Sequence, residues 1–137
     1  MKVCTDACLF GAWLSKESEI VNAKSILDIG TGTGLLSLII AQATNENTNI
    51  TAVEIEPNAA AEAKKNIELS PWANRIFIIQ NSIQTFSKTI QGQAKTNQFD
   101  CIVTNPPFFE ADLLSPNNQK NLAAHSVALP WEELLKE

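Results

Sequence analysis

A chain of 137 residues is the size of one domain and is long enough to bury a hydrophobic core. Hydrophobic residues make up 45% and charged residues 18%, which excludes a disordered chain, and no apolar run approaches the roughly 20 residues that span a bilayer. The net charge of −5 argues against a protein whose whole surface binds nucleic acid, although a local basic patch is compatible with it.

The predicted elements alternate between helices and strands. Thr5 and Asp6 can cap a first short helix that runs to Leu14, with apolar residues at helical spacing. Strands are expected at Ser25–Ile29, Asn49–Ile55, Arg75–Ile79 and Phe99–Thr104. Helices are expected at Leu35–Ala43, at Ala59–Leu69 with Pro57 in the first turn, and at Ile83–Ile90. This alternation indicates βαβ units and therefore an α/β fold, in which helices flank a parallel sheet.

The character of the sequence changes after the fourth strand. Asn105–Asn121 is rich in Asn, Pro, Ser and Gln and is predicted to form a long functional loop. Glu132–Glu137 has the composition of an acidic first helical turn, and the chain stops there. We therefore expect residues 1–137 to be one incomplete domain whose C-terminal strands are missing.

The cysteine content favours a reducing compartment. Cys4, Cys8 and Cys101 are an odd number of thiols, and no apolar signal segment precedes them, so a cytoplasmic protein is expected. A zinc site would need to recruit the distant His125, and we predict no metal.

Three glycines follow the first predicted strand, at Gly30, Gly32 and Gly34. Glycine permits a sharp turn and lets a ligand lie against the main chain. A dinucleotide fingerprint would place its last glycine at position 35, which is Leu35 here, and it would have an apolar residue where Asp28 stands. A carboxylate at that point suits a cationic ligand. S-adenosylmethionine (SAM), which carries a sulfonium and an ammonium group, is such a ligand.

Two further positions fit a SAM site. Glu54 closes the second strand about 20 residues beyond the Gly turn, where a carboxylate can accept both ribose hydroxyls. Ser82 follows the third strand, where methyltransferases often have an Asp that holds the adenine amino group. A Ser can make one hydrogen bond there, and Asn81 is the alternative.

The segment Asn105-Pro106-Pro107-Phe108 follows the fourth strand directly. Its two prolines stiffen the backbone and remove two N–H donors. The Asn105 side-chain oxygen and the Pro106 carbonyl could accept both hydrogens of an aromatic amine and direct its lone pair toward a methyl donor. Phe108 could stack on the base, a contact worth roughly 1–3 kcal/mol. These residues predict methyl transfer to a planar amino nitrogen.

Together, Asp28–Gly34, Glu54 and Asn105–Phe108 resemble the class I SAM-dependent methyltransferases that modify amino nitrogens. Two more segments narrow the resemblance. Met1–Trp13 is similar to the MKVxTDxxLxGAW opening of the bacterial tRNA(Val) adenine-N6 methyltransferases, and Ser70–Ile76 is similar to their SPWAxRI segment. The resemblance extends along the whole chain.

That resemblance implies a Rossmann-like fold, SAM as the cofactor, a tRNA partner and N6-methyladenosine beside the anticodon of a valine tRNA as the product. It also implies that Asp6 approaches the SAM pocket and that Asn105 contacts the cofactor as well as the base. The family has three more strands after the position of Glu137, and one of them lies beside the fourth. Because residues 1–137 do not include that neighbouring strand, we expect the edge of Phe99–Thr104 to be exposed and the protein to self-associate through it.

Three alternatives stay open at this point. A glutamine-N5 protein methyltransferase uses the same corner, usually with Tyr in place of Phe108, because a side-chain amide nitrogen is also delocalised. A guanine-N2 RNA methyltransferase also favours Phe there. The third alternative is a SAM-binding fragment without turnover.

Overall fold

The computed structural model describes residues 5–91 and 99–106. The helices are α1 Thr5–Leu14, α2 Ser18–Val21, α3 Leu35–Ala43, α4 Pro57–Glu68 and α5 Ile83–Gln91, and the strands are β1 Ser25–Ile29, β2 Asn49–Glu54, β3 Ile76–Gln80 and β4 Cys101–Thr104. The chain divides into two units, residues 1–105 and 106–137, and the structure describes only Pro106 of the second. The remainder of the predicted loop and the helix at Glu132–Glu137 lie outside the described residues.

The strands form a parallel sheet in the order β3-β2-β1-β4. Ser25 pairs with Asn49, Ile26 with Cys101 and Ile50 with Ile76. The four predicted strands, the four predicted helices and the parallel arrangement are confirmed, with ends that move by at most two residues. The short helix α2 is an addition that the sequence patterns did not predict.

Helices cover the sheet, and the core lies between them. Helix α1 packs on α3, α3 contacts β2, α4 packs against β2 and β3, and α5 contacts β2. Gly11 permits the close approach of α1 and α3, because a Cβ there would lie 2.9 Å from Ile39. The largest fully buried side chains include Ile26, Ile40 and Ile50, which belong to β1, α3 and β2. None of the helices that the structure describes combines the length and apolar content needed to cross a bilayer.

The starts of helix α4 and strand β3 differ from the sequence expectation for local reasons. Helix α4 begins at Pro57 because the Glu56 carboxylate accepts hydrogen bonds from the backbone N–H groups of Asn58 and Ala59. Strand β3 begins one residue later than predicted, at Ile76, and the backbone N–H of Arg75 instead donates to the carbonyl of Trp72 in a turn. The sequence patterns did not indicate this capping role of Glu56.

Arg75 links the end of α3 to the loop before β2. Its side chain is 6% exposed, and Nη1 donates to Thr44 Oγ1 at 3.0 Å and to the Thr48 carbonyl at 3.2 Å. Nη2 donates to the Ala41 carbonyl in the last turn of α3. A guanidinium at a helix C-terminus satisfies carbonyl groups that have no intrahelical partner and interacts favourably with the helix dipole. Burial lowers the pKa of Arg75 from its ordinary value.

Arg75→Met should therefore destabilise the fold. The substitution leaves buried carbonyl and hydroxyl groups without a donor, and we expect the free energy of unfolding to fall by about 2–4 kcal/mol. Urea denaturation measures it. The matched control is Lys64→Met, which removes an exposed cation 4.0 Å from Glu68 and should cost less than about 0.5 kcal/mol. Equal losses in the two variants would show that Arg75 does not stabilise the end of α3.

Candidate functional site

The strand order places a switch point between β1 and β4. From β1 the chain proceeds to β2 and β3 on one side and returns to the other side of β1 as β4. Ligands of open parallel sheets bind outside the carboxyl ends of the strands at such a point. Ile29 pairs with Thr104, whose hydroxyl donates to the Ile29 carbonyl at 3.0 Å. Gly30 and Asn105 each directly follow one of these paired residues, so they begin the two segments that leave the sheet there.

The Gly turn joins β1 to α3 with three left-handed glycines. Gly30, Gly32 and Gly34 have φ angles of +71°, +58° and +82°. A Cβ on Gly30 or Gly32 would meet no atom within 4 Å, whereas one on Gly34 would lie 3.3 Å from the side chain of Ile67. Gly34 is therefore required by the packing of α3 against α4. The other two leave open space above the main chain, as a site that receives a ligand does.

Asp28 is buried beneath this turn, with 1% of its surface exposed. Its Oδ2 accepts hydrogen bonds from Thr31 Oγ1 and Ser37 Oγ, both at 2.7 Å. Its Oδ1 is buried and has no hydrogen-bond partner among the described residues. Burial raises the pKa of Asp28 above its usual range and the charge of Glu54 adds to the rise, while the two hydroxyl groups oppose it.

Glu54 is buried at the end of β2 and fixes the turn from the other side. Its Oε2 accepts from the Gly32 N–H at 2.8 Å and its Oε1 accepts from the Glu56 N–H at 3.0 Å. A carboxylate offers about four lone-pair positions, so each oxygen retains capacity for a further donor. Glu54, which was predicted to bind the ribose, therefore also holds the main chain of the Gly turn. The sequence did not indicate this second role.

Helix α4 also stabilises the Gly turn. Asn66 Nδ2 donates to the Thr33 carbonyl at 3.0 Å, and Ile67 on the same helix faces Gly34. Sequence reasoning missed Asn66, because an Asn in the exposed part of a helix carries no local signal of a contact 33 residues away.

Ser82 and Asn81 lie at the end of β3, beside Glu54, whose carbonyl accepts from the Asn81 N–H at 3.0 Å. The Ser82 hydroxyl accepts from the backbone N–H of Thr85 at 3.1 Å and donates to Thr85 Oγ1 at 2.9 Å. Asn81 Oδ1 accepts from the Ser82 N–H at 2.9 Å. Both side chains therefore stabilise the start of α5, and a role for Ser82 in cofactor binding stays a prediction.

The remaining predicted site residues differ in how the structure places them. Asp6 is exposed in the first turn of α1, and within the described part of the chain no hydrogen bond joins it to the Gly turn. Asn105 and Pro106 are half-buried. Phe108 lies outside the described residues.

In residues 5–91 and 99–106 no group of His, Cys, Asp and Glu side chains is arranged to hold a metal ion. Cys8 and Cys101 are not in disulfides. Cys4 and His125 lie outside the described residues.

The chain matches one protein family and is similar in sequence to named proteins. Residues 9–129 match the methyltransferase small domain family. A Dyadobacter fermentans protein named tRNA1(Val) (adenine(37)-N6)-methyltransferase is 47% identical over 135 residues, which cover 98% of this chain and 51% of that protein. A protein of the same name from Haemophilus influenzae strain PittEE is 48% identical over 135 residues, with coverages of 97% and 54%. The chain thus spans about half the length of these relatives.

Solved structures share the fold. The SAM-dependent methyltransferase from Agrobacterium tumefaciens is 26% identical with a TM-score of 0.61, and the match covers 79% of this chain and 34% of that one. The O-methyltransferase from Bacillus cereus in complex with S-adenosylhomocysteine (SAH) is 23% identical with a TM-score of 0.65, with coverages of 93% and 52%. The predicted Rossmann-like methyltransferase fold is confirmed.

Asp28→Asn should change the pH dependence of stability. Because the pKa of Asp28 is raised in the folded state, its contribution to stability is fully present below its unfolded pKa of about 3.9 and is lost as pH rises through the folded value. The variant lacks this loss, so its free energy of unfolding should increase relative to wild type as the pH rises above about 4. Urea denaturation at several pH values measures the difference. A difference that does not vary with pH would contradict the buried charge.

Proposed function

The chain belongs to the methyltransferase small domain family, and we propose that it contains the SAM-binding part of an enzyme that methylates N6 of an adenine in tRNA. The observation that carries the proposal is the buried carboxylate of Asp28, with one unpaired oxygen, beneath an open Gly turn that Glu54 also contacts. The relatives named as tRNA1(Val) (adenine(37)-N6)-methyltransferases support the choice of substrate.

The residues at the switch point fit SAM. The unpaired Asp28 Oδ1 is an acceptor for the ammonium group, and the open space at Gly30 and Gly32 lets a ligand lie against the main chain. Glu54 would accept hydrogen bonds from the ribose hydroxyls with its remaining lone pairs. Ser82 or Asn81 would contact the adenine, and Asp6 would approach from α1. When bound, SAM supplies an electrophilic methyl group.

Asn105 carries the proposed chemistry. The lone pair of an exocyclic amine is delocalised into the base, so the nitrogen is a poor nucleophile. The Asn105 side-chain oxygen and the Pro106 carbonyl, adjacent in the sequence, would accept its two hydrogens and localise the lone pair on nitrogen. Orientation and electrostatic stabilisation of this kind need no strong general base. Phe108 would stack on the base.

The substrate class is decided by one labelling experiment. The purified protein is incubated with methyl-labelled SAM and either unmodified bulk tRNA or a protein extract, and the product is then digested with RNase or with protease. Label in N6-methyladenosine supports the proposal. Label in guanosine or in protein would replace it with the guanine-N2 or glutamine-N5 reaction, and SAM binding without transfer would indicate a binding module.

We also infer the extent of the domain, the partner and the location of the protein. Residues 1–137 are part of one methyltransferase domain, the partner is a tRNA, and the location is the cytoplasm, in keeping with the reduced state of Cys8 and Cys101. The domain assignment is supported by the family match over residues 9–129.

We also propose self-association through β4. Among the described residues β4 pairs only with β1, and Ile102 on this edge strand is 62% exposed. Sedimentation velocity should show a concentration-dependent dimer that Ile102→Lys weakens. A protein that stays monomeric at all concentrations would contradict the proposal.

Glu54→Ala and Asn105→Ala should separate binding from turnover. Glu54→Ala removes the ribose acceptor and should cost about 1–3 kcal/mol of SAM affinity. Asn105→Ala should keep SAM affinity within a few fold and lower single-turnover methyl transfer by about 100-fold or more, because its main role is to orient the nucleophile. Calorimetry and single-turnover assays on tRNA measure the two effects.

Glu46→Gln is the control for charge, because Glu46 is exposed in the turn before β2. Unchanged SAM affinity in Glu54→Ala would remove Glu54 from the site. Wild-type turnover in Asn105→Ala would show that the corner after β4 is structural.

A further inference from the structure

The two oxygens of Asp28 have different surroundings. Oδ2 accepts hydrogen bonds from the hydroxyl groups of Thr31, in the Gly turn, and Ser37, in the first turn of α3. These hydroxyl oxygens are 3.4 Å apart, and both residues are buried. Oδ1 is equally buried and has no donor among the residues that the structure describes. One oxygen thus accepts two hydrogen bonds, and the other accepts none from the described part of the chain.

Other hydroxyl groups in the helices of this chain behave differently. Those near helix ends usually donate to a carbonyl three or four residues earlier, as in Ser15 to Gly11, Thr44 to Ile40, Ser70 to Ile67 and Thr89 to Thr85. Ser37 lies in α3, but its hydroxyl donates to Asp28 on β1. Thr31 makes the second such bond from the turn. Both hydroxyl groups therefore donate to the Asp28 carboxylate and not to a backbone carbonyl.

Two donors on one oxygen fix the rotation of a carboxylate. A carboxylate held in this way cannot turn Oδ1 toward Thr31 or Ser37 without losing two charge-assisted hydrogen bonds. A buried acceptor left without a partner is costly, and such atoms in folded proteins call for an explanation, of which a ligand is one. The arrangement leaves Asp28 Oδ1, which has no donor among the described residues, as an acceptor beside the Gly turn.

We propose that Thr31 and Ser37 are positioning residues, which hold Asp28 so that Oδ1 accepts a hydrogen bond from the cationic amino group of the cofactor. The inference rests on the proposed function, because it takes SAM and its product SAH as the ligands. The two residues act through Asp28 and need not touch the ligand.

The hydroxyl groups also influence the charge of Asp28. Burial and the neighbouring charge of Glu54 raise the pKa of Asp28, and the hydrogen bonds from Ser37 and Thr31 lower it. Without either hydroxyl group the carboxyl would hold its proton to a higher pH. A protonated Asp28 lacks the negative charge that attracts an ammonium group, so the loss of a hydroxyl should weaken ligand binding most at low pH.

SAH affinity, measured by calorimetry between about pH 5 and pH 8, tests this with Thr31→Val and Ser37→Ala. We expect each variant to bind SAH about 10-fold more weakly near neutral pH, with the midpoint of the affinity profile moved to higher pH. Thr31→Ser keeps the hydroxyl and should restore both the affinity and the midpoint. The charge of Glu54, which faces Asp28, and the ligand amine are common to all variants in this comparison.

Thr48→Val is the matched control. Thr48 is fully buried, and its hydroxyl donates to the Ala23 carbonyl at 2.7 Å, so its removal lowers stability without involving Asp28. We expect a lower midpoint of thermal unfolding with unchanged SAH affinity and pH profile in this variant.

The outcomes separate the two proposals. A folded wild-type protein that does not bind SAH would overturn the proposed function. Wild-type binding with unchanged affinity and midpoint in Thr31→Val and Ser37→Ala would overturn the positioning role alone. A loss of affinity with no shift of the midpoint that Thr48→Val also shows would overturn it too, since the loss would then follow from lower stability alone.

Discussion

The candidate site depends on one constraint, the fixed conformation of the Gly turn between β1 and α3. Strand β2 supplies both anchors, because the Gly30 N–H donates to the Val53 carbonyl at 2.8 Å and the Gly32 N–H donates to Glu54 Oε2 at 2.8 Å. Helix α4 adds a third through Asn66. Three left-handed glycines within five residues would cost entropy in an unanchored loop, and the anchors make this conformation part of the folded state. The cofactor would thus meet a preformed main chain, which lowers the entropic cost of binding.

Two buried carboxylates at one sheet edge work against the stability of the protein. Asp28 loses solvation, has one unpaired oxygen and experiences the charge of Glu54. A fold selected for stability alone would have an apolar residue at the position of Asp28, as the paired positions Ala52 and Val103 have. This loss of stability is explained if the site binds a ligand whose cationic group pairs with Asp28 and whose hydroxyl groups pair with Glu54. Elsewhere the protein satisfies its buried charge internally, as Arg75 does at the end of α3.

The elements and the main ligand candidates could be predicted because their signals are local. Asp28, the three glycines and Glu54 lie at the ends of strands, and a parallel sheet brings such ends to one edge. The contacts that stabilise this edge join distant positions and were not predicted, as with Asn66 on the Thr33 carbonyl and Arg75 on the end of α3. Ser82 shows the converse, because its position was predicted but its hydroxyl serves the start of α5.

Among the residues that the structure describes, β4 pairs only with β1, and this pairing positions Asn105 relative to the Gly turn. A strand of four residues pairs weakly by itself. Side-chain hydrogen bonds just before the start of β4 and at its end stabilise its pairing with β1. Asp100 Oδ2 accepts from the backbone N–H groups that lead into β1, at 2.7 and 3.0 Å, and the Thr104 hydroxyl donates to the Ile29 carbonyl. A slip by one residue would break these bonds and move Val103 from the core to the surface. A fixed distance between Asn105 and the Gly turn therefore depends on side chains of Asp100 and Thr104, which belong to neither.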